Sequence, residues 1–407
     1  MQPVESAAPV ASAATPSATV LTPPAAPENA RGSDRIPGEY IVVFNERVND
    51  APGLAKLLAK RNGGSLGYVY TSAIRGFSAR LPDAAVSALS KNPNVAFIEQ
   101  DQIAMTADVQ PAAPWALDRI DQSGLPLDSR YDYPATGAGV HMYIIDSGIR
   151  SSHSDFAGRM GEGVTFVDDG YGAEDCMGHG THVAGIAGGT TFGVAKGVTL
   201  HSVRVFGCSG GTPWSTVVAA IDWVNANAQG PAVVNMSLGG SLSTAVNQAV
   251  AASIAGGITY AVAAGNFRED ACKYSPAATP EALTVAASSA ADSVASFSNR
   301  GSCVDLFAPG VSVLSAWLEN DVSTRSLNGT SMASPAVAGA AALYLEAKPG
   351  ASPSEVASAV VATATQRKIL PKYWATNNSL LNVTALMKFT GSTSTDKTTR
   401  GKGKGRK

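Results

Sequence analysis

The chain has 407 residues, 45% of them hydrophobic and 15% charged, with 41 glycines. That is enough apolar side chain for a large core, and the length suggests two or three domains. The formal net charge of -2 argues against a general nucleic-acid binder, and no apolar run reaches the roughly 18 residues needed to span a bilayer.

Residues 1–30 are rich in Ala, Pro, Ser and Thr and lack the basic start and apolar block of a secretion signal, so 1–37 reads as a flexible leader. From residue 38 the pattern changes. Residues 40–44 form a β-branched run, 53–61 have helical spacing through Leu54, Leu57 and Leu58, and 76–81 alternate. A second helix is expected over 83–91 and a closing strand over 95–98. This β-α-β-β-α-β order predicts a small ferredoxin-like α+β domain over 38–107, with 99–114 read as an exposed linker.

A larger domain is expected over 108–389. Apolar strands at 139–146, 198–206, 232–238, 258–264 and 282–287 alternate with helices at 215–228 and 244–255. Continuous apolar strands separated by helices predict an α/β, three-layer fold, a parallel sheet covered on both faces, with ligands gathering at the carboxyl ends of the strands. A basic low-complexity tail, 390–407, ends the chain.

Four stretches carry chemistry. In Ile145-Asp146-Ser147-Gly148 a carboxylate ends a buried strand, where it needs a hydrogen-bonding partner. In Gly178-His179-Gly180-Thr181-His182 a histidine opens a helix of small residues. Ala263-Ala264-Gly265-Asn266 puts an amide at a strand end. In Gly329-Thr330-Ser331-Met332-Ala333 a serine heads a run of small apolar residues with no charge until Glu346, so its hydroxyl sits at a helix N-terminus, where backbone N–H groups favour developing negative charge. Taken singly, each is an ordinary cap, turn or core residue. Together they supply an acid, a base, a nucleophile and an oxyanion donor, each at an element terminus.

Cys176, Cys208, Cys272 and Cys303 show no CxxC spacing, which argues against zinc. Their even number predicts two disulfides and an oxidising compartment, with three pairings open.

The segments around Asp146, His179 and Ser331, in that order, resemble those of subtilisin-like serine proteases. Residues 113–120, 298–303 and 304–310 resemble the proteinase K and aqualysin branch in particular. The resemblance implies a subtilisin-like catalytic domain preceded by an inhibitory propeptide, and a secreted, monomeric serine endopeptidase that processes itself from a zymogen, acts on polypeptides and needs no cofactor for catalysis. Its own propeptide would be its intramolecular inhibitor; neither membrane nor nucleic acid is implied as a partner.

By the same resemblance, Asp146, His179 and Ser331 would be catalytic and Asn266 would hold the oxyanion. Gly210, Ser237, Leu238 and Gly239 would bind the substrate backbone, and Ala263, Ala264 and Gly265 would line a roomy pocket for apolar or aromatic side chains. The cysteines would pair as Cys176 with Cys208 and Cys272 with Cys303. Structural calcium would be held by Pro280, Ala282 and Asp305, with Asp118, Asp121 and Gln122 as a second candidate that equally suits a turn cluster. The tail of the propeptide, 103–108, would lie in the substrate groove until cut near Ala107 and Asp108. His182 is read as a buried structural residue, and His141, His153 and His201 are given no role. The competing readings are an inactive subtilisin-fold binding protein and a chain that works mainly as an inhibitor.

Overall fold

The computed structural model describes residues 19–21, 35–102, 109–370 and 376–391. The expected propeptide tail and cleavage point at 103–108, most of the leader and the basic tail beyond 391 lie outside the described residues. The chain divides into two compact units, Met1–Met105 and Thr106–Lys407.

In the first unit the strands Arg35–Phe44, Ser65–Tyr70, Gly76–Arg80 and Val95–Gln102 alternate with the helices Ala51–Arg61 and Asp83–Leu89 in the ferredoxin-like order. The first helix starts where the Asp50 side chain accepts from the Gly53 N–H, an N-cap that satisfies an orphan donor. Val42, Phe44, Ala55, Leu58, Phe77, Val86 and Ile98 form its core. Three features differ from expectation, the first being that Arg35–Phe44 begins inside the expected leader 1–37. Thr19–Leu21 is a short strand paired in parallel with Val95–Gln102 at the sheet edge, and Val95–Gln102 itself runs on into what was read as linker.

The second unit is built on a seven-stranded, wholly parallel sheet: β1 (His141–Asp146), β2 (Val164–Thr165), β3 (Thr199–Arg204), β4 (Ala232–Met236), β5 (Thr259–Ala263), β6 (Leu283–Ser288) and β7 (Leu306–Pro309). Their spatial order is β7-β6-β5-β4-β1-β3-β2. Successive side chains of β1 serve opposite faces. Met142 and Ile144 join the core with α1 (His179–Gly188) and α4 (Thr330–Ala347). Tyr143 and Ile145 join the core with α2 (Trp214–Asn227) and α3 (Thr244–Ala255). Both faces are therefore covered, which is why the strands read as unbroken apolar runs.

Within the expected linker 99–114, Val109–Pro111 is a strand that pairs antiparallel with Arg130–Asp132, and Trp115–Asp121, just after it, is a helix. That helix carries Arg119, whose guanidinium is fully buried and grips Asp292 through both carboxylate oxygens. Both disulfides form, Cys176–Cys208 and Cys272–Cys303.

Candidate active site

The carboxyl ends of β1, β4 and β5 and the N-termini of α1 and α4 supply the site. Asp146 is the last residue of β1 and is fully buried. Its Oδ1 accepts from the Ser147 N–H and faces His179 Nδ1, each at 2.8 Å. A carboxylate only accepts, so Nδ1 carries the proton and Nε2 is left as the basic nitrogen.

His179 opens α1, and the helix fits against the turn after β1 because Gly180 has no side chain: a Cβ there would lie 2.1 Å from the Gly148 carbonyl oxygen. One side of the imidazole is open, with 26% of the side chain exposed. Burial pulls the imidazole pKa down, but the charge of Asp146, the hydrogen bond to it and the charge of Asp175 outweigh that effect and raise it. His182, one turn on, is different. It is wholly buried and burial lowers it to about 4, so it stays neutral, with Nε2 donating to the Arg325 carbonyl at 2.8 Å.

Ser331 is the second residue of α4. The small side chains behind it, from Ala333 through Ala342, are buried and let the helix run through the core. Ser331 Oγ donates to the Ser237 carbonyl at 3.2 Å, and among the described residues no hydrogen bond joins it to His179. Catalytic hydrogen bonds are commonly long or misaligned without substrate.

Pro335 lies inside α4 and has no N–H to give the carbonyl four residues back, which is that of Ser331. That carbonyl accepts instead from Ser237 Oγ at 2.8 Å. Ser237 Oγ is itself held by Asn235 Nδ2, and Asn235 Oδ1 accepts from Ser334 Oγ. The strand end over 237–239 is therefore tied to the first turn of α4.

Asn266 follows β5. Its Oδ1 accepts from both the N–H and the hydroxyl of Thr330, each at 2.9 Å, which fixes the amide orientation and leaves Nδ2 as the free donor. Gly265, at φ +102°, makes the turn between them; a Cβ there would also collide with Asn299 Nδ2 at 2.4 Å. Asn299 holds this loop, donating to the Ala264 carbonyl and accepting from the Phe267 and Glu269 N–H groups. Ala263 and Ala264 are buried. Gly210, at φ +74°, lies beside Met177, two residues before His179.

The residues proposed for a metal are on another loop. Asp305 Oδ2 accepts from the Thr284 N–H at 2.7 Å, and burial, opposed by that bond, pushes the carboxyl up to about 6. The hydroxyl of Thr279, next to Pro280, is buried without a hydrogen-bond partner. A buried carboxylate whose pKa is raised, and a buried hydroxyl without a partner among the described residues, each suit a hard cation. The second candidate reads as a turn cluster: Asp118 accepts from the Asp128 and Ser129 N–H groups, Asp121 from that of Asp132, and Gln122 donates to the Gly124 and Pro126 carbonyls. Asp169, Cys176 and Cys208 also lie close together, but the cysteines are disulfide-bonded and Asp169 is gripped by Arg204.

Sequence reasoning passed over Asn235, Thr330, Ser334, Asn299 and Asp175. The first four serve through tertiary contacts that no local motif announces.

Comparison with known proteins gives a consistent picture. The model of the subtilase family, peptidase S8, matches residues 137–391, and that of peptidase inhibitor I9 matches 39–107. An extracellular serine proteinase of Thermus sp. (strain Rt41A) is 51% identical over 352 residues, 82% of this chain and 86% of that protein. The alkaline serine exoprotease A of Vibrio alginolyticus is 46% identical over 322 residues, 78% of this chain but 60% of that longer protein. A crystal structure of a cold-adapted subtilisin-like serine proteinase is 47% identical, with a TM-score of 0.65 over 67% of this chain and 98% of its own.

Proposed function

The chain belongs to the subtilase family of serine endopeptidases and carries an I9 inhibitor domain ahead of its catalytic domain, and from that premise we propose that Ser331, His179 and Asp146 perform its chemistry. Ser331 Oγ turns from the Ser237 carbonyl to attack the scissile carbonyl while His179 Nε2 takes its proton. Asp146 holds the imidazole as the Nδ1–H tautomer and stabilises the cation. His179 then returns the proton to the leaving amine, and water repeats the cycle on the acyl-enzyme. The oxyanion is held by Asn266 Nδ2 and the Ser331 N–H at the start of α4.

The single observation that best supports this is the 2.8 Å contact between His179 Nδ1 and the fully buried Asp146 carboxylate. The substrate backbone adds as a strand between Ser237, Leu238 and Gly239 on one side and the Gly210 loop on the other, so main-chain hydrogen bonds give affinity without demanding sequence. Ala263, Ala264 and Gly265 leave room for an apolar or aromatic side chain.

The I9 domain serves as intramolecular inhibitor, cut by the enzyme itself near Ala107 and Asp108. The Thermus relative is named as extracellular, and by likeness we read this enzyme as secreted and monomeric; no helix among the described residues is long and apolar enough to cross a membrane. Asp305, with the Pro280 and Ala282 carbonyls, would hold a calcium ion that steadies the 279–284 loop and takes no part in the reaction.

An inactive binding protein is not supported. Labelling with an active-site serine reagent, with and without Ser331→Ala, tests the reading. The processed enzyme should label and cleave casein, and the variant should do neither and should persist as an uncut precursor. A processed protein that neither labels nor cleaves refutes it.

A further inference from the structure

Asp175 lies in the glycine-rich loop before α1, and nothing in the mechanism above uses it. Yet its carboxylate accepts five hydrogen bonds. Oδ1 takes the Ser147 hydroxyl at 3.0 Å and the Met177 and Gly178 N–H groups at 2.9 and 2.8 Å. Oδ2 takes the N–H and hydroxyl of Thr181 at 2.9 and 2.6 Å. Ser147 Oγ in turn accepts from the Gly180 N–H at 2.9 Å. One side chain thus joins the residue after Asp146, the two residues before His179 and the first turn of the helix that His179 opens.

We propose that Asp175 is a positioning residue for peptide-bond hydrolysis: a second carboxylate that sets the distance between Asp146 and His179 and adds its charge to the field at the imidazole. The inference rests on His179 being the general base. Two lines carry it. The first is geometric. Asp146 and His179 stand on different elements, a strand end and a helix start, and their 2.8 Å contact is one hydrogen bond. Asp175 spans the two through Ser147 on one side and through Gly178 and Thr181 on the other, so its loss lets the pair drift, and small misplacements cost rate more than binding.

The second line is electrostatic. A negative charge near an imidazole favours its protonated form. The groups that face His179 are Asp146 from the strand end, Asp175 from the loop and His182 from its own helix, which burial keeps neutral. Arg325 meets this region through its carbonyl on His182, with its guanidinium 4.5 Å above the Trp317 ring. Asp175 is thus the second negative charge at the base. A structural cap alone would contribute the geometry but leave no signature in the titration of His179.

The pH dependence of kcat/KM on a small chromogenic peptide, with the processed enzyme, tests this through Asp175→Asn and Thr181→Val. Asp175→Asn keeps an acceptor oxygen and removes the charge. It should lower kcat about tenfold with little change in KM and move the acidic limb of kcat/KM down by roughly half a pH unit. Thr181→Val keeps the charge and loses one donor to it; it should lower kcat by about threefold with the limb unmoved.

An Asp175→Asn limb that stays at the wild-type pH overturns the electrostatic part. Equal shifts in both variants also overturn it, because then charge is not the agent. If Asp175→Asn fails to fold, Thr181→Val with unchanged kcat overturns the positioning part. A wild-type profile with no acidic limb in the histidine range, or a His179→Ala enzyme of full activity, refutes instead the assignment on which the inference rests.

Discussion

Ser237 and Ser331 exchange two hydrogen bonds: the Ser237 hydroxyl donates to the Ser331 carbonyl at 2.8 Å, and the Ser331 hydroxyl donates to the Ser237 carbonyl at 3.2 Å. The first exists because Pro335 cannot serve the Ser331 carbonyl from within α4. A helix flaw is thereby used to tie the strand end over 237–239 to the first turn of α4.

This pairing predicts a compensating double substitution. Ser237→Ala leaves the partly buried Ser331 carbonyl without its donor, at a cost of about 1 kcal/mol, and should also reduce kcat. Pro335→Ala restores an N–H four residues on. The double variant should therefore be more stable than the two single effects sum to, by about 1 kcal/mol on urea unfolding. Strict additivity would show that Pro335 and Ser237 do not serve the same carbonyl.

The fold and the four principal side chains were legible because their signals are local. Asp146 ends an apolar strand, and His179, Asn266 and Ser331 each stand beside small residues at an element end, where periodicity changes. Asp175 was not, since an acid between Glu174 and Cys176 in a glycine-rich stretch reads as a turn former until the Ser147 and Thr181 contacts are seen. Thr19–Leu21 was missed for a different reason: a three-residue strand in an Ala/Pro-rich stretch has no pattern of its own, and only the neighbouring strand's edge makes it one.

The buried pair of Arg119 and Asp292 should be costly to break and cheap to replace. Asp292→Ala leaves a guanidinium that has no exposed surface beside, among the described residues, a single remaining acceptor, the Gln122 carbonyl. Denaturant unfolding should show a loss of about 3–5 kcal/mol. Arg119→Met combined with Asp292→Asn, which keeps a residue that tolerates the φ of +56° there, should recover most of it. If Asp292→Ala costs less than about 1 kcal/mol, the pair is acting as a surface salt bridge, even though Lys368, 3.4 Å from Asp292, loses the same partner.

Metal removal gives a third outcome. With calcium at Asp305, a chelator should lower the midpoint of thermal unfolding of the processed enzyme and speed its self-digestion, since a ligand that binds only the native state stabilises by mass action. Asp305→Asn should lower the midpoint as well and make it insensitive to chelator. A wild-type midpoint that chelator leaves unchanged would remove calcium from this loop.

Lys196 makes stability depend on alkaline pH, with a sign that is easily misjudged. Its ammonium donates to Gln110 Oε1, the Thr190 carbonyl and the Gly193 carbonyl, and lies 5.3 and 5.2 Å from the ring centroids of Tyr131 and Tyr133. Despite these partners, burial lowers it to about 8 from the 10.5 of a free lysine. Between those values the unfolded chain binds the proton and the native protein does not, so unfolding takes up protons and native stability rises with pH across that window. Below about 8 the full cost of burying the charge is present. The quantity to measure is the unfolding midpoint of the wild type minus that of Lys196→Met, with Ser331→Ala in both proteins to prevent self-digestion. The difference should grow in favour of the wild type from pH 8 to 10.5 and be flat below it. A difference that shrinks over the same range would mean that the oxygen donors and rings hold the ammonium more strongly than its burial penalises it.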